Sequence, residues 1–166
     1  MQVMTMQVKK KSQKQEKSVA KDLNARTVVA SGALWGSKGD VRHDNLLVEC
    51  KITDKSFYSL TMQVWEKIEK EAIRDGLRIP VMCIDLNGGK DRYAVFRDKD
   101  FRHYRSYYDI TAPTDCVWSD KKSFRVQYPE RVLMVAYRKS KFGETPCFVV
   151  IHWDDFLYML KGGEKQ

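Results

Sequence analysis

The feature that most limits the possible folds of this chain is a segment with apolar residues at helical spacing, followed directly by a continuous apolar run. In SLTMQVWEKIEKEAIRDG, residues 59–76, the apolar positions recur every four residues, and Gly76 supplies a helix stop. The stripe consists of Leu60, Val64, Ile68 and Ala72, widened by Trp65 and Ile73. RIPVMCIDL follows directly and is typical of a strand buried on both faces. A hairpin, a helix and a buried strand in succession predict an α/β fold with a mixed β-sheet flanked by helices.

Length and charge limit the size of the fold and the class of partner. The chain has 166 residues, of which 43% are hydrophobic and 31% charged, enough for one core and one globular domain. Lys and Arg number 30 against 22 Asp and Glu, which gives a formal net charge of +8. A basic balance favours a polyanion as partner, although many basic proteins bind no nucleic acid.

The cysteine pattern indicates the compartment. The four cysteines are scattered without C-x-x-C spacing, and the chain has neither a secretory apolar segment nor an apolar run of 18 residues. We therefore expect a reduced, cytoplasmic protein with no membrane partner. Zinc is disfavoured, because neither the cysteines nor the 3 histidines come in ligand-spaced pairs.

The N-terminal segment carries a run of lysines and then a helical pattern. Residues 1–11 are polar and lack a helix cap, which predicts a flexible basic arm; the alternative is a solvated tail without a role. A helix is predicted from Ser12, as its N-cap, to about Asn24. Glu16 is spaced to point toward the core with the apolar face of that helix, which a carboxylate does not do without a partner. Alternatively, it lies at the rim of that face, paired with a lysine or reaching water.

The segment SKGDVRHDNLLVECK reads as two strands folded back on each other. If Asp44 and Asn45 form a two-residue turn, Asp40 lies directly opposite Glu49, with Cβ atoms about 4.5–5.5 Å apart. Side chains alternate along a strand, so Lys51 shares the face of Glu49. Two like charges so placed repel, and a cation is needed to hold them together.

A hard divalent cation such as Mg²⁺ suits this arrangement, because it binds carboxylate and backbone oxygens and keeps waters or substrate phosphate oxygens in its other positions. Such an ion lowers the pKa of a bound water and clamps a phosphate, while a nearby lysine orients the nucleophile or offsets developing charge. This is the chemistry of phosphodiester hydrolysis. The alternative is an exposed hairpin face, because a Glu and a Lys two positions apart are common on strands.

The order of these motifs resembles a known nuclease family. A helix with a Glu, a strand RTVVA ending in Ser-Gly, then KGD, a hairpin and VECK resemble the PD-(D/E)XK nucleases, in particular the small Holliday junction resolvases of archaea and their phage-encoded relatives. The resemblance spans residues 12–86 and departs from the family name at Gly39, which stands in place of Pro. Restriction enzymes, nicking nucleases and exonucleases share the same short motif. The resemblance implies a restriction-endonuclease-like sheet.

The resemblance also implies roles for individual residues. The catalytic residues it implies are Glu16, Asp40, Glu49 and Lys51. The metal ligands it implies are Asp40, Glu49, Glu16 and the backbone carbonyl of Cys50. Ser31, in the loop after the first strand, would lie near the scissile phosphate. The lysines expected to contact backbone phosphates are Lys9, Lys10, Lys11, Lys14 and Lys38.

Together these features predict a metal-dependent, structure-selective DNA endonuclease, most simply a Holliday junction resolvase of DNA recombination. Its cofactor would be Mg²⁺, with Mn²⁺ as a substitute, and its substrate a four-way junction. Paired scissile strands need two active sites related by a two-fold axis, so a homodimer is expected. If phage-encoded, the protein would act in the host cytoplasm. The alternatives are a PD-(D/E)XK nuclease for flaps, nicks, ends or restriction sites, and a binding module that has lost catalysis.

The remainder of the chain predicts an extension of the same domain. Residues 12–87 would form the catalytic core, and residues 88–166 contain a strand, strand, helix pattern similar to one beginning at VMCIDL. The similarity indicates either a repeated unit that extends or caps the sheet or a chance likeness of two amphipathic hairpins. Asp154 and Asp155 in the second unit suggest either a second metal site or, more simply, acidic residues at a helix N-terminus.

Two segments between the units are also informative. FRDKDFRHYRSYYDI interleaves arginines with aromatic rings, which suits either splayed DNA or core and dimer contacts. TAPTDCVWSDKKSF is predicted to be a loop.

Overall fold

The computed structural model describes residues 2–28, 40–107, 116–118, 123–127, 133–137 and 147–162. Ser31 and Lys38, both predicted to contact DNA, lie outside these residues. The helices are α1 (Gln2–Asp22), α2 (Met62–Arg74) and α3 (Trp153–Leu160), with a 3₁₀ segment at Asp98–Tyr107. The strands are β1 (Arg26–Thr27), β2 (Val41–Arg42), β3 (Leu46–Ile52), β4 (Phe57–Thr61), β5 (Ile79–Leu86), β6 (Asp91–Arg97), β7 (Cys116–Trp118), β8 (Ser123–Gln127), β9 (Leu133–Tyr137) and β10 (Cys147–His152).

Eight of these strands form one mixed sheet in the order β1-β2-β3-β5-β6-β10-β9-β7. β3 and β5 run parallel near its centre, as do β7 and β9 further along, and the other neighbours pair antiparallel. The connection from β3 to β5 contains α2, as a parallel crossover requires. β4 and β8 pair antiparallel in a separate ribbon. The predicted α/β architecture with a mixed sheet flanked by helices is therefore confirmed.

Two apolar layers cover the two faces of the sheet. One face packs against α1 and α3, through a cluster that includes Val19, Ala20, Leu23, Val48, Cys50, Cys83, Trp153 and Phe156. The other packs against α2 and the β4–β8 ribbon, through a cluster that includes Leu60, Trp65, Ile68, Met82, Ile84, Phe124 and Val126. In the part of the chain described, no helix is long and apolar enough to cross a membrane.

The predicted helix and strand of residues 59–86 both form. α2 begins after Thr61, whose side-chain oxygen accepts a hydrogen bond of 3.2 Å from the Val64 N–H. Gly76, with a φ of +92°, follows the end of the helix and takes a conformation that L-residues rarely adopt. Leu60 is buried as predicted but lies in β4, while Ile73 is 60% exposed and does not widen the apolar face. β5 is buried over most of its length, as the continuous apolar run predicted.

The predicted start of the first helix is wrong. α1 begins at Gln2, so residues 2–11 form helical turns in place of the basic arm, and Ser12 lies inside the helix and not at its N-cap. Gln, Met and Lys are good helix formers, and contacts of Lys11 and Gln15 with the chain around β3 hold this half of α1 against the sheet. The helix ends at Asp22, and Asn24 then takes a left-handed φ of 50°.

The two repeated units lie side by side in the sheet. β5 and β6 form the first, β9 and β10 the second, and β10 pairs with β6, so the second unit extends the sheet. Its helix is α3, whereas the first ends in the 3₁₀ segment. Asp154 and Asp155 lie exposed in the first turn of α3, which supports the helix N-terminus over a second metal site.

The two segments between the units, FRDKDFRHYRSYYDI and TAPTDCVWSDKKSF, can now be compared with their predictions. Phe101 is buried in the α1-side cluster, so this ring belongs to the core. The segment predicted as a loop contains β7 and the start of β8, and that prediction is therefore wrong. β8 packs Phe124 and Val126 against the sheet at alternate positions, a strand periodicity that the Ser and Asp content of the segment obscured.

Candidate active site

The hairpin of β2 and β3 has the predicted register. Val41 pairs with Val48 and Arg42 with Leu47, and the His43 N–H donates to the Leu46 carbonyl at 3.0 Å across the turn. β2 begins at Val41, so β3 runs on past it. The predicted pair of Asp40 and Glu49 is not part of the ladder, because the Asp40 N–H also donates to the Val48 carbonyl, at 3.1 Å.

Asp40 instead uses its side chain to cap β3 on the edge where that strand extends past β2. Its Oδ2 accepts a hydrogen bond of 2.7 Å from the Cys50 N–H, a backbone group that β2 does not reach. The carboxylate is thereby held beside the last residues of β3, near Glu49. Although the ladder pair is absent, the hairpin brings the two predicted carboxylates together.

The surroundings of Asp40 oppose its ionisation. Burial and the negative charge of Glu49 raise the pKa of Asp40 from 3.8 to about 6, and Glu16 adds to the rise. The Cys50 N–H and the charge of Lys51 act in the opposite direction but do not outweigh these effects. A bound cation would stabilise the ionised form of Asp40, because it would offset the repulsion from Glu49 and Glu16.

Glu49 and Lys51 form an ion pair on one face of β3. Lys51 Nζ lies 2.6 Å from Glu49 Oε1, and the two side chains remain 35% and 15% exposed respectively, so both can reach a ligand in solvent. Burial alone would lower the pKa of Lys51, but the hydrogen bond and charge of Glu49 outweigh it, and the net shift is upward. Lys51 is therefore a stable cation and not a general base near neutral pH.

Tyr58 on β4 borders this ion pair, and sequence reasoning missed it. Burial raises the pKa of Tyr58, while the neighbouring charges of Lys51 and Glu49 act in opposite directions. The phenol therefore stays protonated and can donate a hydrogen bond. Its spacing of two positions from the buried Leu60 was the available signal, because alternate residues of a strand share a face.

The carbonyl of Cys50 faces the same side as Asp40. Within a strand, the N–H and C=O of one residue point toward the same neighbour, and the Cys50 N–H points to Asp40. The thiol is a different matter: a hydrogen bond with Cys83 and burial raise its pKa, so it remains protonated in the core. Only the backbone of Cys50 is suited to bind a metal ion.

Gln15, and not Glu16, is the polar residue of α1 that points into the core. It is 3% exposed, and its Nε2 donates to the Lys51 carbonyl at 3.0 Å and to the Cys83 carbonyl at 3.3 Å. The signal was present in the sequence, because Gln15 precedes Val19 and Leu23 at four-residue spacing. This residue ties α1 to the two central strands directly beneath Lys51.

Glu16 lies at the flank of the helix, partly exposed, and the prediction that it faces the core is wrong. Ser12 Oγ donates to its Oε1 at 3.0 Å, and its charge contributes to the raised pKa of Asp40. α1 covers one face of the sheet, whereas Glu49 lies beside Met82 on the other face. Glu16 and Glu49 thus approach from opposite sides, and the charges of both act on Asp40.

These residues would supply only part of the coordination shell of a hard cation. The described residues contain no group of three His, Cys, Asp or Glu side chains that could hold a metal ion. Asp40 Oδ1 and Glu49 Oε2, however, receive no hydrogen bond from any described residue, whereas their other oxygens are engaged. Two carboxylates and one backbone carbonyl suit Mg²⁺, which usually keeps several waters and substrate phosphate oxygens in its shell.

The lysines predicted to contact DNA differ in their surroundings. Lys9, Lys10 and Lys14 are exposed on α1. Lys11 is engaged, with its Nζ 2.8 Å from Asp54 Oδ1 in the loop after β3. These positions place the lysine run on a helix beside the end of β3.

A second charged network fixes the other half of α1. The Arg92 guanidinium contacts both oxygens of Asp85, at 2.7 and 2.9 Å, and reaches Ser18 and Asp22 on the helix at 3.0 and 3.3 Å. Asp85 is only 2% exposed, and Arg92 is the partner that compensates the burial of its carboxyl group. Because the partners are up to 74 positions apart in sequence, no local pattern predicts the network.

Comparisons with protein-family models, curated proteins and solved structures found no match to this chain.

Proposed function

We propose that the protein is a metal-dependent DNA endonuclease, and that its preferred substrate is a four-way junction cut by a homodimer. The observation that carries the proposal is the grouping of Asp40, Glu49 and Lys51 at the end of β3, with the pKa of Asp40 raised to about 6 by burial and by Glu49. Two repelling carboxylates beside a stable lysine cation are costly to stability and suited to metal-assisted phosphate chemistry.

Each residue has a distinct task in the proposed reaction. Asp40, Glu49 and the Cys50 carbonyl would hold Mg²⁺, which lowers the pKa of bound water and offsets phosphate charge. Lys51 donates hydrogen bonds to the water or the phosphate oxygens and stabilises the charge that develops there. Glu16, at the flank, acts on Asp40 electrostatically and would orient an outer water of the ion.

Hydrolysis itself adds the oxygen of one water to phosphorus and breaks one P–O ester bond. The departing oxygen takes up a proton, so one end of the cut strand carries phosphate and the other a hydroxyl group. Lys51 stays protonated throughout, because Glu49 keeps its pKa high. Gln15 supports the lysine from below by holding its backbone carbonyl.

The proposal is tested with a panel of labelled DNAs in Mg²⁺: a four-way junction, a flap, a nicked duplex and a linear duplex. We expect paired nicks in the junction and a loss of about 10²–10³ in rate for Lys51→Met. Lys55→Met is the matched control, because Lys55 is an exposed lysine four positions away in the loop after β3, and it should cut at the wild-type rate.

Equal cleavage of all four DNAs would contradict the junction preference and leave a nuclease of broader substrate range. No cleavage of any DNA by the wild-type protein would contradict the nuclease itself.

A further inference from the structure

The outer surface of α1 carries an unbroken row of lysines. Lys10, Lys14, Lys17 and Lys21 follow one another at spacings of four, three and four residues, so they share one face of the helix. All four side chains are exposed. The buried residues of α1 lie on the opposite face, so the row points directly into solvent.

No acidic side chain of α1 neutralises this row. The two acids of the helix are both engaged elsewhere: Glu16 with Ser12, and Asp22 with Arg92 and the Trp153 indole. Lysine neighbours three and four positions apart repel and destabilise a helix. A stretch of like charges retained on a rigid, docked helix therefore points to an anionic partner.

The dimensions of the row match a nucleic-acid backbone. Lys21 follows Lys10 by eleven positions, which is a rise of about 16 Å at 1.5 Å per residue. Measured along the axis of a DNA duplex, one strand carries a phosphate about every 3.4 Å, or about five over that length. The match favours a regular polyanion over a small anion.

The same face is poorly suited to a membrane surface. An amphipathic helix that lies on a lipid bilayer needs an apolar face free to insert. The apolar residues of α1, including Val19 and Leu23, are already buried against the sheet. The row can therefore offer charge alone.

From these observations we infer that Lys10, Lys14, Lys17 and Lys21 form a phosphate-binding row along which one strand of a DNA duplex lies. Lys17 and Lys21 extend the predicted contacts, whereas Lys11 is excluded because it pairs with Asp54. The inference rests on the proposed function only for the choice of DNA as the polyanion. α1 also contacts the Lys51 carbonyl through Gln15, so DNA on the row lies about one helix diameter from β3.

The test is the salt dependence of DNA binding, measured by fluorescence anisotropy with a labelled 30-base-pair duplex in EDTA, so that no strand is cut. Removing two phosphate contacts with Lys14→Gln/Lys17→Gln should lower the slope of log K against log [KCl] by about 1.8, and weaken binding at 0.1 M KCl about tenfold or more. Lys70→Gln/Arg74→Gln on α2 removes the same charge from another exposed helix face, and it should change the slope by much less.

Equal slopes for the two double variants would overturn the inference, because the effect would then report net charge alone. Tight binding of the wild-type protein to phosphatidylserine vesicles without binding to the duplex would also overturn it, in favour of a membrane surface. A protein that binds DNA through the row yet cuts none would uphold the inference while contradicting the proposed nuclease.

Discussion

Replacing Asp40 by Asn should stabilise the metal-free protein at neutral pH. The substitution removes a carboxylate that is partly buried and faces the negative charges of Glu49 and Glu16. It keeps the local structure, because the Asn side-chain carbonyl can still accept the hydrogen bond of the Cys50 N–H. A residue whose removal stabilises a protein is typical of a functional site under electrostatic strain.

The size of the effect follows from the pKa of Asp40. The rise from 3.8 to about 6 corresponds to about 3 kcal/mol at 1.36 kcal/mol per pH unit. Because the carboxylate is partly exposed, solvent screening reduces this figure, and we expect a gain of about 1–2 kcal/mol.

The raised pKa of Asp40 also fixes how the stability gain of Asp40→Asn changes with pH. A carboxyl whose folded pKa lies above its unfolded pKa destabilises the folded state when it is ionised, so its cost is complete above about pH 6. As the pH falls through about 6 toward 3.8, the folded protein takes up the proton first and the cost disappears. The advantage of Asp40→Asn should therefore be halved near pH 5.

Urea denaturation in EDTA at pH 7.5 and at pH 5 measures this difference. Asp44→Asn is the matched control, because Asp44 lies exposed in the turn of the same hairpin, and it should alter stability by less than about 0.5 kcal/mol. A destabilised Asp40→Asn protein, or a gain that does not change with pH, would refute the reasoning about this carboxylate.

Three further predictions concern the metal ion and the support of the site. Saturating Mg²⁺ should raise the melting temperature of the wild-type protein but not of Glu49→Gln, as scanning calorimetry would show, since a ligand stabilises only a state that binds it. Gln15→Leu should cost about 1–3 kcal/mol in urea denaturation, because two strand carbonyls lose a buried donor; an unchanged midpoint would contradict this. Arg92→Ala should cost about 3–5 kcal/mol, because Asp85 stays buried without its partner, and a double variant with Asp85→Asn should recover part of the loss.

Local patterns in the sequence predict the elements around the site well. The register of β2 and β3 follows from a polar two-residue turn and from alternation, because a slip of one residue would turn Val41 and Val48 away from the core. The helical periodicity of its apolar residues predicts α2, and the continuous apolar run predicts β5.

The start of α1 could not be predicted from capping residues, because residues 2–11 offer none. Positions 2–11 contain good helix formers but no cap signal, and the pair of Lys11 with Asp54 joins them to a residue 43 positions away. The assignment of Glu16 to the core failed for a simpler reason. An uncharged neighbour, Gln15, had the same helical spacing to the apolar face and could be buried with its amide hydrogen-bonded.

The sequence predicts some of the charged contacts in the site but not all of them. The nearness of Asp40 and Glu49 follows from the hairpin, but the use of the Asp40 side chain to cap Cys50 depends on where β2 begins. The contact of Tyr58 with the ion pair depends on the β4–β8 ribbon, whose second strand lies 62 or more positions further along the chain. Such long-range contacts leave no periodic signal in either segment.

The most direct test of the account is cleavage of a labelled four-way junction in Mg²⁺ and in EDTA by the wild-type protein and by Glu49→Gln. The account predicts nicks that require Mg²⁺ and that are lost in Glu49→Gln, whose binding to the junction in EDTA is retained. Cleavage that persists in EDTA, or that Glu49→Gln leaves unchanged, would contradict a metal site built on Asp40 and Glu49.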